Sequence, residues 1–113
     1  MIKDLPESSW VEFLMNFAKD HRGELVSLYA ENETDGRRLI GRNQLIALEG
    51  DCVGEIVRGV KIVIGGEGDH PDNLFHFIKS PQSITIDENE DGTISEVILE
   101  SGDNIKTTLV LEE

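Results

Sequence analysis

The segment Asp87-Glu-Asn89-Glu-Asp91-Gly92-Thr93-Ile-Ser95 carries the sharpest chemical pattern in the chain. Oxygen-bearing side chains at alternate positions, with glycine at the sixth, match the opening of a calcium-binding EF-hand loop. The twelfth position, where such a loop needs a bidentate glutamate, is Ile98, and the flanks alternate like strands rather than repeating with helical spacing. A true EF-hand is therefore excluded, leaving an Asp-Gly hairpin turn or an incomplete calcium site on Asp87, Asn89 and Asp91. Asp69, His70 and Asp72 form a second set of metal-ligand residue types, although their spacing matches no established site. Just beyond them His76 alternates with Leu74 and Ile78, which makes it either a core histidine with a hydrogen-bond partner or a pocket residue able to titrate.

Other candidates have weaker chemical support. Gly-Gly-Glu-Gly at 65–68 has no following Lys-Ser/Thr pair, and Glu67 and Asp69 oppose an anion, so it is no phosphate loop. Arg37, Arg38 and Arg42 form the one basic cluster, suited to a carboxylate or phosphate or simply to balancing nearby acids. Cys52 is the only cysteine, so no internal disulfide can form. It lies in the acidic stretch Glu-Gly-Asp-Cys-Val-Gly, where carboxylates disfavour a thiolate, and it reads as a buried or incidental thiol. No serine, cysteine or lysine nucleophile has a base at readable spacing.

The elements that must position these residues begin with a helix at 9–22. Trp10, Phe13, Leu14, Phe17 and Ala18 recur at i, i+3, i+4, i+7 and i+8 and so share one apolar stripe. Ser9 and Glu12 fit a capping box, Lys19, His21 and Arg22 complement the dipole at the other end, and Gly23 can end the helix in the left-handed region. Residues 1–8 are a lead-in, with Pro6 holding Leu5 extended.

From 24 to 112 the pattern is strand and turn. Val60, Ile62 and Ile64 alternate with Lys61 and Val63, and Phe75 and Phe77 lie on the face opposite Leu74, His76 and Ile78. A turn is expected at 49–54, an interruption at Gly41, and two hairpin steps in the last third. These elements predict a single α+β domain over 1–113. One N-terminal helix packs on a strongly bent, mostly antiparallel meander of about six or seven strands, a partly open barrel.

Asp and Glu number 23 against 10 Lys and Arg, a net charge of −13, which repels a phosphate backbone and argues against nucleic acid as a partner. The N-terminus lacks the basic start and apolar run of a signal peptide, and no later stretch is apolar for long enough to cross a bilayer. A cytoplasmic protein with no membrane contact is expected.

Three motifs taken together resemble a known family: Trp-x-x-Phe-Leu-x-x-Phe-x-x-x-His-Arg-Gly from Trp10 to Gly23, Leu-Glu-Gly at Leu48 to Gly50, and His-x-x-Lys-Ser-Pro from His76 to Pro81. The family is a bacterial one of small domains of unknown function, number 5335 in that series. The likeness extends to Leu99 to Gly102 and Thr108 to Leu111, and departs from the family pattern at Glu24, where a bulky aromatic is usual. It implies a small single-domain fold and no particular activity.

Two functions follow as expectations. The first is a non-enzymatic interaction module for a protein partner, with no cofactor, self-associating through a sheet edge that proline and lysine do not guard. The second is a small metal-dependent or small-molecule-processing enzyme centred on His76 and the Asp69–Asp72 loop.

Overall fold

A computed structural model describes residues 1–54, 56–66 and 73–112. The helical stripe forms as expected: α1 spans Trp10–His21 and buries Trp10, Leu14 and Phe17, with Phe13 and Ala18 half-covered at its margin. Its C-terminus closes at Gly23, whose φ of 89° lies in the left-handed region that glycine adopts at no steric cost. The N-terminus differs from expectation. A 3₁₀ turn at Glu7–Ser9 runs straight into the helix, and the Ser9 hydroxyl donates to the Pro6 carbonyl at 2.8 Å, so the capping box does not form. The chain entry is held instead by the Trp10 indole N–H, which donates to the Leu5 carbonyl at 3.0 Å.

Eight strands make one sheet: β1 (Ile2–Asp4), β2 (Leu25–Asn32), β3 (Gly36–Val53), β4 (Ile56–Gly65), β5 (Leu74–Lys79), β6 (Pro81–Glu88), β7 (Ile94–Ser101) and β8 (Lys106–Leu111). Their order is β1-β6-β7-β8-β2-β3-β4-β5, and each neighbouring pair is antiparallel. Two meanders are visible in that order, β2 to β5 and β6 to β8, joined where β8 pairs with β2. The fold is α+β with one helix on an antiparallel sheet that is not closed into a barrel, as expected, with eight strands rather than six or seven.

Three details correct the sequence reading. The lead-in contains β1, paired with β6 from Ile2 opposite Asp87 to Asp4 opposite Thr85. The interruption expected at Gly41 is only a register shift between Leu28 and Tyr29 of the facing strand. The turn expected at 49–54 is strand as far as Val53, the chain reversing at Gly54, whose φ is 62°. Two glycines inside β3 stand where side chains come close. A Cβ at Gly41 would lie 3.0 Å from the Leu74 side chain, and one at Gly50 would lie 3.2 Å from that of Leu14.

The sheet curls around a single core in which Leu28, Leu45, Ile62, Ile84, Val97, Leu99 and Leu109 join the helix stripe. Curvature brings β5 across the interior to β8, with three strands between them in sheet order: His76 Nε2 lies 3.3 Å from Thr107 Oγ1. At Ser80, with φ of 51°, β5 passes directly into β6, so one residue links the two meanders covalently. Among the described residues no helix is long and apolar enough to cross a membrane.

Candidate functional site

Among the described residues, strand β5 is the last in the sheet and has a neighbour, β4, on one side only. Its register runs from Gly59 opposite Lys79 to Ile64 opposite Leu74, and the Ser80 N–H continues it by donating to the Arg58 carbonyl at 2.9 Å. In an antiparallel ladder the inter-strand bonds alternate. The bond at Ser80 therefore turns the backbone groups of Leu74, His76 and Ile78 toward β4 and those of Phe75, Phe77 and Lys79 toward the open edge. The same three residues face away from the core, because Ile78 is buried and His76 points inward.

The result is an edge whose amides and carbonyls have no backbone partner among the described residues and belong to the residues with the most exposed aromatic rings. Phe75 is 65% and Phe77 57% accessible. Phe77 lies over Gly59, where a Cβ would come within 2.5 Å of the ring. Phe75 faces Val63, and the Lys61 ammonium sits 6.0 Å from its centroid. At the other end of the sheet, β1 has only three residues, including the charged pair Lys3 and Asp4, a short edge of the kind that resists further pairing. The two edges are thus unlike, and β5 is the open one.

His76 lies on the inner side of β5. It is half-buried opposite Ile62, and its contact is the Thr107 hydroxyl. Burial holds its imidazole below the ordinary histidine range, because the apolar interior disfavours the cation. Two surface cavities among the described residues lie away from His76. One of about 530 Å³ between α1 and β3 is lined by Val11, Met15, Leu48 and Cys52, and one of about 360 Å³ is bordered by Glu31, Glu100 and Lys106.

A pH prediction follows. The unfolded chain takes up a proton on His76 near pH 6.5, whereas the folded chain resists until lower pH. Stability is therefore complete above about pH 6.5 and declines as the pH falls from there to the folded-state value. Urea midpoints at a series of pH values between about 7.5 and 5 should show this slope for the native chain. His76→Gln should flatten it.

Asp87, Asn89 and Asp91 lie at the end of β6 and in the turn to β7. The turn is satisfied by its own atoms. Asp91 Oδ1 accepts from the Thr93 backbone N–H at 3.0 Å and from the Thr93 hydroxyl at 2.6 Å, while Asn89 Nδ2 donates to Thr93 Oγ1 at 2.9 Å. The Thr93 hydroxyl bond holds the Asp91 carboxyl below the usual carboxylate range. Among the described residues no three His, Cys, Asp or Glu side chains gather as a metal-binding group. Asp69, His70 and Asp72 lie outside the described residues.

Arg37, Arg38 and Arg42 stand on β3 opposite Glu31, Ala30 and Ser27 of β2, and Arg37 stacks 4.0 Å over the Tyr29 ring. Cys52 is exposed on strand β3 opposite Val57, not buried in a turn. The residues that sequence reasoning passed over are Phe75 and Phe77. Their alternation with His76 was legible, and once His76 is given the core face the two rings must point outward.

Fold and edge together define a small α+β domain with an aromatic strand at one edge of its sheet. No protein-family profile matches the chain, and neither a curated protein nor a solved structure matches it.

Proposed function

We propose that the protein is a non-enzymatic interaction module whose docking element is the free edge of β5. The observation that carries this reading is the coincidence, on Phe75 and Phe77, of outward backbone groups and exposed phenyl rings. Strand addition uses both at once: the backbone groups give affinity and the alternate side chains give selectivity. His76, on which an enzymatic reading would depend, is engaged with Thr107 on the interior face.

Self-association is the simplest form of such docking. Sedimentation velocity over about a hundredfold range of concentration tests it, read together with hydrogen exchange at the amides of Phe75, Phe77 and Lys79. Concentration-dependent growth in mass with slowing of those three amides supports edge pairing. A second copy docked elsewhere, with the three amides still exchanging freely, counts against β5 as the docking element.

A further inference from the structure

We propose that the strand received by β5 is an acidic segment of another protein, with a carboxylate and apolar side chains on alternate positions. This rests on the reading of β5 as the docking element and adds the chemistry of its partner. The supporting observation is charge segregation. Residues 56–66 and 73–82 hold Arg58, Lys61 and Lys79 and contain no aspartate or glutamate, in a chain whose net charge is −13. Among the described residues the carboxylates of β3 that face this patch are Glu49 and Asp51, with Glu49 3.4 Å from the Lys61 ammonium. Glu55 and the acids at 67–72 adjoin these strands in sequence and lie outside the described residues.

The ladder fixes where a partner's side chains would fall. A strand bonded to the outward groups of Phe75, Phe77 and Lys79 sets its own residues directly across from those three, on the same face. Across from Lys79 a carboxylate is favoured. Two and four residues along, across from Phe77 and Phe75, apolar or aromatic side chains are favoured, with Lys61 one strand further in beside Phe77. The pattern is carboxylate-x-apolar-x-apolar, read antiparallel to β5.

A second copy of the chain fits less well. Antiparallel pairing that sets Phe75 across from Phe77 of the second copy leaves Lys79 facing Asn73, and shifting by two residues leaves it facing Phe75. In neither register does a cation of this patch meet a carboxylate.

The test uses the whole protein and three panels of labelled extended peptides of about ten residues, identical at the varied apolar positions and carrying Glu, Gln or Lys at the remaining outer-face position. Fluorescence anisotropy at low and high salt reads affinity, and hydrogen exchange reads the amides of Phe75, Phe77 and Lys79. The expected result is binding of the Glu panel about tenfold tighter than the Gln panel, weakened by salt, with those amides protected. Lys79→Glu at an exposed position, with Lys61→Gln at a half-exposed one, should transfer the preference to the Lys panel. Equal affinity for all panels with the amides protected, or a preference for Gln or Lys, overturns the acidic partner and leaves β5 as the docking element. Dimerisation of the protein through the same amides, with no peptide bound, does likewise. Absence of binding by every panel, with a monomer whose β5 amides stay open, overturns both readings.

Discussion

Replacing Trp10 with alanine should remove about 3–5 kcal/mol of folding stability, the range for truncating a buried aromatic. The side chain is 5% accessible, heads the helix stripe, and ties the chain entry down through its bond to Leu5. Leu14 and Phe17 follow it down the same face into the sheet core. A domain of this size has about 5–15 kcal/mol in hand, so the loss takes roughly a fifth of it or more. Denaturant unfolding followed by far-ultraviolet dichroism measures the change. Trp10→Phe keeps most of the apolar volume but lacks the indole donor, leaving the Leu5 carbonyl to water, and should lose only about 1–2 kcal/mol. Equal losses from the two changes would mean that the indole bond, not burial, fixes the helix.

The second large effect is on association and should leave the fold nearly intact. Changing both Phe75 and Phe77 to serine removes the aromatic surface of β5 while leaving its backbone unaltered. The two rings are mostly in water already, so the stability cost should be small, about 1 kcal/mol. Binding should suffer far more. Aromatic anchors at the centre of an interface typically contribute 2 kcal/mol or more each, roughly a thirtyfold change in dissociation constant per ring. Anisotropy with the best acidic peptide, alongside a thermal melt of the variant, separates the two quantities. A variant that still melts normally and still binds as the native chain does would remove the phenyl rings from any part in docking.

The helix was legible because its signal is local. Apolar positions repeating at helical spacing and a terminal glycine need no knowledge of the rest of the chain. Its N-cap was misread because the Ser9 hydroxyl had a nearer acceptor, the Pro6 carbonyl, once a 3₁₀ turn preceded it. The length of β3 was misread for a related reason: Gly41 and Gly50 look like breakers in isolation. Only the side chains above them, Leu74 and Leu14, explain why a strand should contain them. β1 escaped notice because three residues cannot display an alternation. Strand order was the least legible, since the pairing of Val26 with Leu111 joins residues at opposite ends of the chain. At the candidate site the alternation of Phe75, His76 and Phe77 was plain, but which side met the core depended on Thr107, far along the sequence.

The place of β8 between β7 and β2 has a kinetic meaning. During synthesis from the N-terminus, the first meander emerges with β2 lacking one of its two lateral partners, and the second emerges as a separate ribbon. Neither can seal its apolar side until residues 106–111 have left the ribosome and slotted into the gap. Such non-local closure is slow, and the nascent chain stays exposed to aggregation or to chaperone capture until then. A ribosome stalled shortly before that point should hold a protease-sensitive chain, whereas release of the final strand should convert it to the resistant form in one cooperative step.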